Sequence, residues 1–254
     1  MLLVIDLGNT NLTVGVYRQD TLVYHWRLST DAQRTKDEYG LQLLGLLSHC
    51  DFTVQDLRGV VLSSVVPPLT EWITLACQDF LQQQALLVSA DLKLNIRVGY
   101  ENPGSVGTDR LADAVAVQNK YGGPACVIDF GTATTFNALS SQGEYLGGAI
   151  LPGVATSAQA LVTRTAKLPP VELKAPPSCI GRNTVHALQA GLIFGYVALV
   201  EGMVDRFRAE LGESMRVIAT GGHAERIAEH TASIQEVDPW LTLEGLKLIW
   251  EMNQ

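Results

Sequence analysis

Two short segments combine residue types in an order suited to holding phosphate. Asp6-Leu-Gly-Asn-Thr10 ends an apolar run in a carboxylate, turns at Gly8 and continues with donors at Asn9 and Thr10 that can hold a phosphate oxygen. Asp129-Phe-Gly-Thr-Ala-Thr-Thr135 repeats that order, with Thr132 among its hydroxyls. A glycine lets the chain turn tightly and aim N–H groups at an anion, and a carboxylate beside it can hold a cation that offsets phosphate charge. Asp6 and Asp129 are thus candidates for a hydrated magnesium ion or a monovalent cation. A single copy is equally well explained as a hairpin with an Asx-turn. Two copies, aligned without a gap over 4–13 and 127–136, point to a nucleotide gripped from both sides.

A third segment, Gly107-Thr-Asp-Arg110, places a carboxylate and a guanidinium at the expected start of a helix, where free amides and the helix dipole favour anions. In phosphoryl transfer Asp109 can take the proton of an acceptor hydroxyl, while the planar fork of Arg110 positions a carboxylate or phosphate. An aspartate at a helix start also caps helices, so this assignment draws its weight from the two phosphate turns. Asn183-Thr184 reads as a cap, with Thr184 as a ligand donor in the sharper version, and Thr220-Gly221-Gly222 suits either adenosine or a plain tight turn. No GxxxxGK[ST] motif occurs, no GxGxxG follows a strand, and Asp129-Phe-Gly131 lacks the companion motifs of protein kinases. His223 and His230 have no third ligand at metal spacing.

The elements that must position these residues are legible in the pattern. Leu2 to Ile5 and Leu12 to Tyr17 read as strands joined by the first turn, Thr21 to Leu28 as a third, and Thr35-Lys-Asp-Glu38 as a capping box before a helix from Tyr39 to His49. Gly59 to Val66 is a buried strand, Pro67-Pro68 opens a helix to Leu81, and Leu86 to Val88 is a further strand. A loop-like stretch from Ser89 to Thr108 precedes a helix from Asp109 to Tyr121, broken by Gly122-Gly123-Pro124. The second half adds a strand at Tyr145 to Leu151, a helix from Pro152 to Arg164, a proline-rich crossing, a long helix after Asn183, a strand at Arg216 to Ala219 and a terminal helix from Leu241 to Trp250. The expected architecture is α/β, in two halves at 1–121 and 122–254 with a nucleotide cleft between them.

The 254 residues carry 18 Lys and Arg against 26 Asp and Glu, a net charge of -8, which disfavours a nucleic-acid backbone as partner. With 47% hydrophobic and 17% charged residues the chain is globular. Its four scattered cysteines suggest buried, reduced thiols, and its opening lacks the basic start of a signal peptide. The longest apolar run, Ala190 to Val200, is shorter than the roughly 18 residues of a membrane span. The expectation is a cytoplasmic protein without membrane or nucleic-acid partners.

Taken together and in order, the two phosphate turns, Asn102-Pro103 with Gly107-Thr-Asp-Arg110, Gly147-Gly148 with Pro152-Gly153, Gly181-Arg-Asn-Thr184 and Thr220-Gly-Gly222 resemble the type III pantothenate kinases, within the superfamily of sugar kinases, heat-shock chaperones and actin. The resemblance implies two ribonuclease-H-like halves, a homodimer, and ATP-dependent phosphorylation of pantothenate, the first step of coenzyme A synthesis. It places Asp6 to Thr13 on the ATP phosphates with Thr132 as a further contact, and a potassium or ammonium ion on Asp129. It places Tyr100, Gly107, Thr108, Arg110 and Thr184 on pantothenate and makes Asp109 the proton acceptor. ATP would come with magnesium or another divalent cation. Thr108 replaces an alanine, and Asn137 stands where an aspartate often closes the second turn. Two other readings share these residues: a kinase for a different hydroxylated acid, and a regulatory protein on the same scaffold.

Overall fold

A computed structural model describes residues 1–254. The chain divides into two compact units, one of Met1–Asn95, Glu101–Ala116 and Leu241–Gln254, the other of Ile96–Tyr100 and Val117–Trp240.

Unit 1 is built on five strands, β1 (Leu2–Leu7), β2 (Asn11–Arg18), β3 (Thr21–Ser29), β4 (Gly59–Ser64) and β5 (Ala85–Leu87), in the order β3-β2-β1-β4-β5. The first three pair antiparallel, and β4 and β5 add in parallel. Alternation along β1 sends Leu3, Ile5 and Leu7 into a core with Tyr39 and Leu43 of α1 (Lys36–Leu47) and Leu69 and Ile73 of α2 (Pro67–Leu81). Leu2, Val4 and Asp6 take the opposite face. That face meets α7 (Leu241–Met252): a Cβ on Gly15 of β2 would lie 2.9 Å from both Leu243 and Val4. The Thr35 capping box is present, its backbone N–H donating to Glu38 Oε2 at 2.7 Å, and the helix starts directly after it instead of at Tyr39.

Unit 2 repeats the arrangement with β7 (Ala125–Phe130), β8 (Ala133–Leu139), β9 (Glu144–Pro152), β10 (Arg216–Thr220) and β11 (Glu236–Val237), and adds β6 (Arg97–Val98), giving the order β11-β10-β7-β8-β9-β6. The strand β6 corrects the loop-like reading of 89–108. It is too short to show a period, and a partner remote in sequence holds it, Arg97 pairing with Glu144 at 2.9 Å. Within the same stretch Pro103–Ser105 forms a 3-10 turn before α3 (Thr108–Lys120). The remaining helices are α4 (Val154–Arg164), α5 (Thr184–Leu211) and α6 (Ala224–Ala228). By length and composition alone α5 could cross a membrane, a property the count of consecutive apolar residues overlooked; Ile193, Tyr196, Val197, Val200 and Val204 are nevertheless buried, all but Ile193 in the core of unit 2 with Phe130 and Phe136.

All four cysteines are free, but only Cys77 and Cys126 are buried, each thiol pushed up to about 12 by desolvation; Cys179 is exposed and Cys50 half-buried.

Candidate active site

In each unit the first strand ends in an aspartate flanked by hydroxyl side chains. Asp6 lies opposite Thr13 on β2 and level with Ser63 on parallel β4. Asp129 lies opposite Thr135 on β8 and level with Thr220 on parallel β10. Directly paired residues share a sheet face, so each carboxylate sits between two hydroxyls. These are oxygen donors throughout, the chemistry of hard cations such as Mg²⁺ or K⁺. No three His, Cys, Asp or Glu side chains cluster anywhere in the chain, so neither site resembles a zinc centre. Around Asp129 the packing is specialised: Gly221 has φ +91, and a Cβ there would collide with the Asp129 carboxylate. Only glycine satisfies both constraints.

The turns themselves correct the gap-free alignment. Asp6 pairs with Thr13 but Asp129 with Thr135, so the second turn is one residue shorter and Thr135, not Phe136, corresponds to Thr13. The closing bonds follow suit: Gly8 N donates to the carbonyl of Asn11 at 2.9 Å, and Gly131 N to that of Ala133 at 3.0 Å. Asn9, Thr10 and Asn11 are exposed in the first turn, as Thr132 is in the second, while Leu12 is buried.

Asp109 and Arg110 occupy the first turn of α3, which begins at Thr108, so Asp109 lies inside the helix and not at its cap. The Thr108 hydroxyl is within 2.9 Å of Ser63 Oγ, accepts from Ser64 N at 3.0 Å and reaches the Ser64 carbonyl at 3.2 Å. Ser63 being level with Asp6, this contact ties the start of α3 to the strand ends that carry the first turn. The hydroxyls Ser63 and Ser64 were not singled out in the sequence; their position at the end of an apolar strand, matching Thr220-Gly221, is the signal that identifies them. Burial pushes the Asp109 carboxyl above its ordinary pKa, opposed by the Arg110 N–H donated to Oδ1 at 2.8 Å and by the Arg110 charge. Arg110 itself is buried.

Unit 2 holds the other candidates. Tyr100 follows β6 and is half-buried; its ring centroid is 6.3 Å from that of Tyr145. Asn183 caps α5, its side chain accepting from His186 N at 2.8 Å, which leaves Thr184 as the first helical residue. Asn137 is not in the second turn: it is buried on β8, two residues beyond Thr135, and bonded within the sheet.

Two mixed sheets sharing a strand order, each with an aspartate and a glycine turn at its central strand, define the actin-like ATPase and sugar-kinase fold. Solved structures share this fold. An inorganic polyphosphate/ATP-glucomannokinase from Arthrobacter sp. strain KM matches 99% of this chain and 97% of its own, with TM-score 0.52 and 16% identity. A conserved Baf-family protein from Campylobacter jejuni, described as a transcriptional activator, matches 99% and 98%, with TM-score 0.65 and 20% identity. The model of the type III pantothenate kinase family matches residues 2–206, and a relative of that name from Exiguobacterium sibiricum is 48% identical over 254 residues, the full length of both chains. The chain belongs to the type III pantothenate kinase family.

Proposed function

We propose that this chain transfers the γ-phosphoryl group of ATP to the hydroxyl of pantothenate, with Asp109 as the proton acceptor. The observation behind this assignment is the setting of Asp109: a carboxylate in a helix's first turn, tied through Thr108 and Ser63 to the strand end carrying Asp6, with its pKa raised by burial. A raised carboxylate pKa makes a stronger base at working pH. Arg110, with Gly107 and Thr108 beside it, orients the acceptor's carboxylate, and Tyr100 and Thr184 are the other acceptor contacts. Asp6, Gly8, Asn9, Thr10, Asn11, Leu12 and Thr13 bind the ATP phosphates, joined by Thr132. The hydroxyl-flanked carboxylates hold the cations, magnesium or another divalent ion at Asp6 and potassium or ammonium at Asp129. When bound, these ions neutralise phosphate charge as it redistributes in the transition state. The enzyme works as a cytoplasmic homodimer without nucleic-acid or membrane partners.

ADP release from ATP and magnesium, with and without pantothenate in potassium, ammonium and sodium buffers, tests the assignment. Turnover that needs pantothenate and either potassium or ammonium supports the acceptor and the monovalent site together. Folded protein that binds ATP but releases no pantothenate-dependent ADP would overturn the acceptor, and equal rates in all three buffers would overturn the cation at Asp129.

A further inference from the structure

Unit 2 contains a buried polar chain that runs inward from Thr135 and whose inner members, Asn137 and Tyr145, have no part in the reaction described above. Tyr145 is fully buried, and its phenol donates to Asn137 Oδ1 at 3.1 Å; Asn137 Nδ2 in turn donates to Thr135 Oγ1 at 3.0 Å. A buried phenol and a buried hydroxyl each need a partner, and an amide suits both, offering an acceptor to one and a donor to the other. This explains an asparagine at position 137: an aspartate would bring a charge into the same enclosed position and offer no donor. The chain starts at Thr135, opposite Asp129, and ends under Tyr100.

Tyr100 rests on what this chain fixes. Its ring lies tilted on that of Tyr145, and its Cε2 edge would be 3.2 Å from a Cβ on Gly147, so the strand offers bare backbone there. The segment before it is pinned to the same strand by Gly99 N donating to the Tyr145 carbonyl at 2.9 Å and by the Arg97–Glu144 pair. We propose that Tyr145, held by Asn137, is the positioning residue for Tyr100 and sets how tightly the acceptor substrate binds. This inference rests on the reading that Tyr100 contacts pantothenate.

Tyr145→Phe removes one oxygen and keeps the ring. It is expected to raise the pantothenate KM about 5-fold, the worth of one hydrogen bond, with the ATP KM and kcat unchanged. Asn137→Ala, which removes the Asn137 bond from both hydroxyls, is expected to raise the pantothenate KM further, by about 10-fold. A purely structural role would instead lower Tm and move all kinetic constants together. The decisive comparison is made in a Tyr100→Ala background, where Tyr145→Phe should have no further effect on the pantothenate KM, because a positioning residue acts only through the side chain it positions. If Tyr100→Ala raises that KM but Tyr145→Phe does not, or if the two effects add in full, the positioning role is wrong and the contact stands. If Tyr100→Ala leaves the KM unchanged, the contact itself is wrong and the inference falls with it. Should Tyr145→Phe fold poorly, the same comparison with Asn137→Ser decides the matter.

Discussion

In unit 1 the β2 residue opposite Val4 is Gly15, and its vacant side-chain position is crowded by Leu243 of α7. In unit 2 the β8 residue opposite Val127 is Asn137, bonded to Thr135 and Tyr145. The sheets share strand order and a carboxylate between two hydroxyls, yet one face is finished with an apolar helix and the other with a polar chain leading to Tyr100. The position after the level hydroxyl diverges too: Ser64 in unit 1 serves Thr108 and Thr70, while Gly221 in unit 2 lies against Asp129. Both units keep a carboxylate between hydroxyls at the strand ends, and the surroundings have diverged; under the proposed function unit 1 adds the base, and unit 2 adds the monovalent cation and Tyr100.

The largest break of this division should come from Asp109→Asn. Removing the proton acceptor is expected to lower kcat by about 10²- to 10⁴-fold while ATP binding survives. Stability should move the other way. The folded-state pKa of Asp109 is raised, so folding favours its protonated form; the associated stability is present below the unfolded pKa and is lost as pH rises through the folded one. At neutral pH the desolvated, half-buried charge is a net cost that asparagine removes, so Tm should rise in the variant at pH 7 and the gain should vanish in acid. The acid limb of the kcat profile should likewise lie above the ordinary carboxylate range. A variant that keeps wild-type turnover would remove Asp109 from its role.

Gly221→Ala probes the cation side. The φ of +91 and the collision with the Asp129 carboxylate together are expected to cost about 1–3 kcal/mol and to displace Asp129. The ATP KM and the potassium requirement should both rise, with the pantothenate KM little changed. The matching change in unit 1, Gly15→Ala, overpacks Leu243 and Val4 and should also cost about 1–3 kcal/mol, but as lower Tm with intact kinetic constants. Equal kinetic effects from the two variants would show that the units are not specialised in this way.

Much of this was legible in the residues. The apolar run ending at Asp6, its repetition at Asp129, the Thr35 capping box and the prolines opening α2 are local signals, and local signals survive in the structure. What depended on pairing did not show. The β6 strand has no period of its own and exists because Glu144 and Tyr145 accept it, so Tyr100 could be named but not placed. The second turn's missing residue was hidden because Thr134, Thr135 and Phe136 align plausibly in either frame, and only strand register separates them. Asn137 stood out as a missing charge near the nucleotide, when its meaning lies in the phenol and hydroxyl that enclose it.

The smallest expected effect sharpens the comparison on the unit 1 side. The Thr108 hydroxyl is shared among Ser63 Oγ, Ser64 N and the Ser64 carbonyl. Since Ser63 is buried, Thr108→Ala strands a hydroxyl and an amide at the end of β4 and should cost about 1 kcal/mol, seen as a Tm lower by roughly 2–4 °C. Asp109 is the next residue, so a looser first turn should also lower kcat a few-fold at unchanged ATP KM, and Thr108→Ser, which keeps the hydroxyl, should restore both. If Thr108→Ala lowers Tm and leaves kcat untouched, the bridge from β4 holds the helix in place without aiming the base. Asp109 would then be oriented by its own turn and by the Arg110 amide.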